Sequence, residues 1–275
     1  MDVTYESHYA IKIDKLCPFK LLVGSKRADH EICNWHSNIE ILLITSGSGK
    51  MLYGNEHIYV EEGDVVVINS GAIHRLYLGY EILGFIVDEG FCAENGIDTR
   101  SLLFEKVFKD SNLSKLIKRA AEAAEKYGKS KSSLDGAKVR CRVLDFIIEI
   151  TDMHSAAVSE KSDRRKNAEN YVKTILLYMN MNFKKPITLE ELAELCGVTK
   201  FHLTREFKRY TGSTVFGYIN TLKCKHAEGL ILQGMGIANA AFESGFESTS
   251  YFSRTYKKLY GQAPSRLIPK ENDDV

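Results

Sequence analysis

The chain has 275 residues, 44% of them hydrophobic and 27% charged, with only 4 prolines, which is the length of about two ordinary domains and excludes disorder, collagen and low-complexity fibres. Its apolar runs, IEILLI at 39–44 and VVVI at 65–68, fall far short of the roughly 18 residues that cross a bilayer, so no membrane partner is expected. The net charge of +1 hides an asymmetry: residues 184–270 carry 13 Lys+Arg against 7 Asp+Glu, whereas residues 1–183 carry 24 against 26, which is mild evidence for a polyanion-binding C-terminal part.

The first residues, MDVTYESHYAIKIDKLC, are acidic and polar and lack the basic, apolar and small-residue sequence of a secretory signal, so a cytoplasmic location is expected. The six cysteines, at 17, 33, 92, 141, 196 and 224, show no CxxC pair or zinc-finger spacing and read as reduced, apolar fillers. Up to about residue 90, short β-rich runs alternate with Gly, Asn and Asp turn signals, which predicts an antiparallel sandwich or small barrel. From Ser101 the period changes to that of amphipathic helices, with Leu113, Leu116, Ile117, Ala120, Ala121 and Ala124 in one stripe and Val143, Leu144, Ile147 and Ile148 in another. At least one of Leu113/Leu116/Ile117/Ala120 and Leu144/Ile147/Ile148 is expected to form a two-fold dimer seam. The polar stretch SEKSDRRKNAE at 159–169 reads as a flexible linker. It separates an N-terminal domain, 1–158, with its barrel at 1–100 and helices at 101–158, from a helical domain at 170–269. The first helix of the latter carries Val172, Ile175, Leu176, Met179 and Phe183 and stops before Pro186.

The helical domain contains one design twice. In the first copy, within 188–209, Thr188 caps a helix that opens with Glu190 and Glu191, Ala193 is small at a crossing, Gly197 makes a tight turn and Thr199 caps a second helix. Leu203 and Phe207 form the inward ridge of that helix, and Lys200, His202, Arg205, Lys208 and Arg209 are left to solvent or a partner. In the second copy, 237–259, Ala241, Gly245, Ser248, Phe252 and Tyr256 take the same places, with Arg254, Lys257 and Lys258 outside. A stripe of Phe216, Ile219, Leu222, Ala227, Leu230 and Ile231 makes the stretch between them a rigid connector. Two helix–turn–helix units with basic second helices are the pattern that places helices in successive major grooves, about 34 Å apart.

LAELCGV, LTREFKRYTG, the connector and SGFESTSYFSRTYKKLYGQAP resemble the DNA-binding domain of the AraC/XylS family of transcription regulators over 167–269. The chain departs from the family pattern at Lys223, where Arg is usual, at Ala240, where Ile is common, and at Leu267-Ile268, which replace an aromatic–Arg pair. The resemblance implies base-facing roles for Phe201, Thr204 and Arg205 on one helix and for Thr249, Ser250, Ser253 and Arg254 on the other. Arginine can grip guanine O6 and N7 with two hydrogen bonds, and Lys200, Lys208 and Lys257 suit phosphates.

Residues 34–76 resemble the cupin-like effector domain found at the front of such regulators, through W-H-x3-E, a Gly47/Gly49 turn, the E-G-D corner at 62–64 and G-A-I-H. Metal-using cupins surround their ion with three histidines and a glutamate; here Asn34 stands at the first histidine position, leaving His36, Glu40 and His74. A facial triad for iron is one reading. The preferred reading is that these groups hydrogen-bond an effector or one another, with no metal and no cofactor, because Asn34 replaces imidazole poorly. Trp35, the single tryptophan, is either a platform for a sugar ring or a core plug, and the core is favoured.

The fold class expected is therefore two-domain α+β, a cupin-like antiparallel β-barrel with helices behind it and then an all-α domain of two helix–turn–helix motifs. The resemblance implies a DNA-binding regulator, an activator more than a repressor, under a small cytosolic effector such as a sugar. Its implied partners are promoter DNA, RNA polymerase and a second copy of the chain. The competing expectations are a metal-dependent cupin enzyme fused to a DNA-binding domain and a regulator whose barrel only dimerises. With no phosphate loop, GxSxG elbow or HExxH helix in the sequence, no enzyme activity is expected.

Overall fold

The structure is a computed structural model that describes residues 17–25, 33–77, 79–157 and 163–267. Its described residues divide into two compact units, one up to Asp163 and one from Arg164 onward that also takes in Cys33.

The N-terminal unit runs β1 (Phe19–Ser25), β2 (Ile39–Tyr53), β3 (Glu56–Glu61), β4 (Asp64–Ile68), β5 (His74–Leu76), β6 (Tyr80–Val87), α1 (Glu89–Glu94), β7 (Leu102–Phe104), β8 (Val107–Lys109), α2 (Ser111–Ser130), α3 (Ser133–His154) and β9 (Ser155–Ala157). The main sheet is antiparallel, in the order β1-β6-β2-β4-β8, with β3 and β5 also paired to β2. Strand β2 spans 15 residues and changes partners along its length: Glu40–Leu43 pair with β4 and Ile39–Gly47 with β6, whereas Ser48–Tyr53 pair with β3 and Met51–Tyr53 with β5.

Two expectations are corrected here. The Gly47/Gly49 segment is not a turn between strands but the bend of one continuous strand, with a register shift between Ile44 and Ser46. Gly47 has φ 80°, and a Cβ there would lie 2.2 Å from the Gly79 carbonyl oxygen, so only glycine lets β6 approach this closely. Nor does the barrel close: among the described residues the sheet path ends at β1 and at β8 rather than returning on itself.

Alternation along the strands creates two cores. Ile39, Ile41, Leu43, Val65, Val67, Phe85 and Val87 face one way and are covered by α2 and α3 through Leu113, Ile117, Ala120, Val143, Phe146 and Ile147. Leu42, Ile44, Val66, Ile68, Ile82 and Ile86 face the other way, into the fold of the sheet, with Met51, Tyr53 and Leu76. The first set overturns the expected dimer seam on α2, because Leu113, Ile117 and Ala120 are fully buried inside the unit and Leu116 packs against the same core. Burying Leu113 and Ile117 contributes about 1.5–3 kcal/mol each to folding and leaves nothing for a partner. On α3, Ile147 turns inward as well, while Ile148 stays 52% exposed.

The helical unit contains α4 (Asp163–Asn182), α5 (Leu189–Cys196), α6 (Lys200–Thr211), α7 (Val215–Leu232), α8 (Ile237–Glu243), α9 (Thr249–Tyr260) and a short 3-10 turn (Pro264–Leu267). Residues 163–169 of the expected flexible linker are thus the first turns of α4, and 159–162 lie outside the described residues. The core of the second helix–turn–helix joins Cys224, Ala227 and Ile231 of α7 to Ala240 and Ala241 of α8 and to Phe246, Phe252 and Tyr256. Phe216, expected in the connector's inward stripe, is 52% exposed. No helix among the described residues is long and apolar enough to cross a membrane.

Candidate functional site

Each helix–turn–helix begins from local chemistry. Thr188 and Glu191 form a reciprocal capping box at the start of α5, Gly197 closes that helix with φ 64°, and Thr199 accepts from the His202 amide to start α6. In the second unit Gly245 turns with φ 83°, where an added Cβ would lie 2.4 Å from the Lys184 carbonyl oxygen, and Ser248 accepts from the Tyr251 amide to start α9. Leu203 and Phe207, and likewise Phe252 and Tyr256, are buried at 0% exposure, so packing fixes which face each helix turns outward.

The outward face of α6 carries Phe201, 76% exposed, together with Lys200, Arg205 and Lys208. Thr204 is half-buried and its hydroxyl turns back toward the carbonyls of Lys200 and Phe201, at 3.0 and 3.1 Å. Its proton is used within the helix, so the group it offers a base is a lone pair. Arg205 is also engaged: Nε donates to Glu206 Oε1 at 3.1 Å, and Nη2 lies 3.2 Å from His202 Nδ1. Lys200 pairs with Glu190 across the turn, and its hydrogen bond, aided by a backbone hydrogen bond and then by its charge, holds the Glu190 carboxyl below its ordinary value. On α9, Ser250, Arg254 and Lys257 are exposed, and Thr249 and Ser253 half-buried.

Glu206 was not among the sequence candidates. It is only 4% exposed, and Arg209 Nη2 approaches its second oxygen to 2.8 Å. Burial, then the charge of Glu206, pushes the neighbouring Tyr171 phenol up to about 12, so it stays a neutral donor. The signal lay in the periodicity: Leu203, Glu206, Phe207 and Tyr210 share one helical face, and an acid in an apolar ridge is out of place.

In the N-terminal unit, His36, Glu40 and His74 converge. Glu40 is the second residue of β2 and faces the inner side of the sheet fold, opposite Ile68 and Ile86. Reciprocal backbone bonds of 2.8 Å between Asn34 and His74, and another of 2.8 Å from Gly71 N to His36 O, hold the loop of His36 beside β5. Glu40 Oε2 lies 3.1 Å from His36 Nε2 and 3.3 Å from His74 Nε2, and all three residues are buried, at 5%, 2% and 6% exposure for His36, Glu40 and His74. Burial pushes the Glu40 carboxyl up, but hydrogen bonds from the two imidazoles and their charges push it down further, to well below the usual carboxylate range. Trp35 is half-buried rather than a core plug, and its amide donates to Asn34 Oδ1 at 2.8 Å.

The family described as "AraC-like ligand binding domain" matches residues 26–137, and the one described as "Helix-turn-helix domain" matches 192–268. The two halves of the chain are thus similar to the two domains of AraC-type regulators. Among its AraC-type relatives, the bifunctional transcriptional activator/DNA repair enzyme AdaA of Bacillus subtilis is 33% identical over 98 residues, 35% of this chain and 46% of that protein. The HTH-type transcriptional regulator GlxA of Rhizobium meliloti is 27% identical over 133 residues, 45% of this chain and 41% of that one. The chain thus spans less than half the length of these curated relatives. A crystal structure of ToxT from Vibrio cholerae is 15% identical, with a TM-score of 0.47, over 92% of this chain and 99% of that one.

The departures from the AraC pattern sit where packing explains them. Lys223 does not point to solvent: Nζ donates to the Gly245 carbonyl at 2.6 Å and lies over the Phe246 ring at 5.8 Å, pinning the second turn to the connector. Ala240 is fully buried against α7, and Leu267 packs on the same core. Ile268 lies outside the described residues.

Proposed function

We propose that the chain is a one-component transcription regulator of the cytoplasm, which inserts α6 and α9 into successive major grooves of promoter DNA and answers to a small effector held by the N-terminal unit. The observation that carries this reading is the repeated capped helix–turn–helix, each copy with its aromatic ridge buried and a basic face outward. Phe201, Thr204, Arg205, Thr249, Ser250, Ser253 and Arg254 are the base-facing set, and Lys200, Lys208 and Lys257 the phosphate set. Reaching DNA requires Arg205 to leave Glu206 and Lys200 to leave Glu190.

Trp35, His36, Glu40 and His74 form the effector site, and a sugar is the first class to test. The regulator acts as an activator, with RNA polymerase as partner, and has no catalytic role. It works as a homodimer whose seam is the outer face of α3. There Leu134, Ala137, Cys141, Leu144, Ile148 and Thr151 repeat with heptad spacing and are all exposed or half-buried, with Leu134 at 65% and Ile148 at 52%.

Footprinting on a selected operator tests the DNA reading: protection of two major-groove segments on one face of the helix is expected, and protection of a single groove would overturn the two-headed arrangement. For the effector, operator affinity of the full chain and of 164–275 is compared with and without candidate metabolites. The full chain should respond and the helical unit should not. Oxygen consumption by the iron- or manganese-loaded protein would replace this reading with that of a cupin enzyme joined to a DNA-binding domain.

A further inference from the structure

We infer that the cleft between α4, α5 and α6 binds a small organic cation of the amidine or guanidine class, which takes Glu206 from the arginines that hold it. The cleft has a volume of about 730 Å3 and is lined by Tyr171 of α4, Leu195 of α5, Val198 of the turn, and His202, Glu206 and Arg209 of α6. Two polar groups of this lining are buried and incompletely met among the described residues. Glu206 is 4% exposed, and no hydrogen bond is aligned to its Oε2, although Arg209 Nη2 lies 2.8 Å away. The Tyr171 hydroxyl oxygen is buried and has no hydrogen-bond partner. Buried oxygens left without a donor are costly, so both favour a ligand that brings N–H groups.

The depth of the charges selects the ligand's sign. The carboxylate is the buried charge, at 5% side-chain exposure, whereas Arg205 and Arg209 are exposed, at 59% and 43%. A ligand desolvated inside the cleft therefore meets the negative charge at close range in low dielectric, while the arginine charges are screened by water. Each arginine also reaches one oxygen only: Arg205 Nε donates to Oε1 at 3.1 Å, and Arg209 Nη2 lies beside Oε2. Neither forms the two parallel N–H···O bonds of a forked pair. A free amidinium is planar and untethered, so it can take both oxygens at once. Its apolar body can lie against Leu195, Val198 and the ring of Tyr171, whose centroid is 5.6 Å from that of His202. Displaced from Glu206, Arg205 and Arg209 regain free guanidinium groups, so occupancy of the cleft bears on the outward face of α6.

Binding here is read without DNA and away from His36, Glu40 and His74, so its failure is separable from failure of the regulator reading. Full-length protein is titrated by calorimetry with benzamidine, and with benzamide and benzoate, which have nearly the same shape. One saturable site for benzamidine is expected, with benzamide and benzoate each at least about tenfold weaker. Glu206→Gln should weaken benzamidine by at least about tenfold, since it keeps the shape and removes the charge. Arg209→Ala should do the reverse and tighten it about threefold or more, because a competitor for the carboxylate is gone. A residue that merely shaped the cleft would loosen binding when truncated. Should Glu206→Gln fail to fold, the Arg209→Ala comparison decides alone. The absence of a saturable benzamidine site in the folded wild type would overturn the proposal, as would an Arg209→Ala variant that binds no better than wild type. Tighter binding of benzoate than of benzamidine would also overturn it, making the cleft an anion site of Arg209 and His202.

Discussion

Glu206 follows Arg205 directly on the first recognition helix and holds its guanidinium, with Nε 3.1 Å from Oε1. The same carboxylate takes Arg209 at 2.8 Å, so one buried acid restrains two exposed arginines of the helix proposed to enter DNA. By the alignment of the two caps, Thr199 with Ser248, the matching position of the second helix is Thr255, which carries no charge. The two heads are therefore electrostatically unequal. Glu206→Gln should tighten binding to all DNA sequences and steepen the dependence of log affinity on log salt by about one phosphate contact. Affinities measured over a salt series check this, and an unchanged slope would show that the arginines are not restrained by charge.

Arg254→Ala should cost about 1–3 kcal/mol of specific binding and relax preference at one base position, because a bidentate arginine–guanine contact is worth that much. Arg205→Ala should do the same about one helical turn away. Its measured cost should be smaller, since the wild-type arginine must first give up Glu206. Lys208→Ala should weaken all sequences alike. Selection on randomised operators with each variant reads all three effects.

Gly245→Ala combines a φ of 83° with a Cβ placed 2.4 Å from the Lys184 carbonyl oxygen. Both strain terms act on the turn that aims α9, so a loss on the order of 1–3 kcal/mol or more is expected in chemical unfolding of the helical unit. Gly197→Ala, with φ 64° but open space around its Cβ, should cost less.

Asp110 caps α2 by accepting from the amides of Asn112 and Leu113 at 2.8 and 2.9 Å. The bond from Leu113 is the largest cause of its lowered carboxyl pKa, outweighing partial burial, with His154 and the Asn112 amide adding to the effect. A carboxyl depressed in the folded state stabilises the fold above its unfolded pKa, and that contribution is lost as pH falls through the folded value. Asp110→Ala should therefore cost about 1 kcal/mol near neutral pH. The gap between wild type and variant should shrink as pH drops below about 4. Urea unfolding at several pH values checks the sign, and a gap that widens in acid would refute it.

Ile148→Glu should convert the proposed dimer to a monomer at micromolar concentration without unfolding the N-terminal unit, because the side chain is 52% exposed and lies outside the sheet-covering core. Sedimentation reads the mass, and a variant that stays dimeric places the seam elsewhere.

The sequence by itself determined the two helix–turn–helix units, down to the caps at Thr188, Thr199 and Ser248, the turns at Gly197 and Gly245 and the inward ridges. These are decided within a few residues by hydrogen bonding to orphan amides, by φ and by a 3.6-residue period, all of which can be read locally. It also brought out His36, Glu40 and His74 as a set, through the resemblance to a cupin pattern. Only the tertiary structure decided how those residues are placed and what they touch. Whether Leu113 and Ile117 serve a dimer or the sheet depends on which surface reaches them first, and apolar periodicity is the same for both. Whether Gly47 ends a strand or bends it depends on β6 lying against it. The restraint of Arg205 by Glu206, and the convergence of two imidazoles on Glu40, are matters of side-chain direction within a packed environment, which spacing along the chain does not encode.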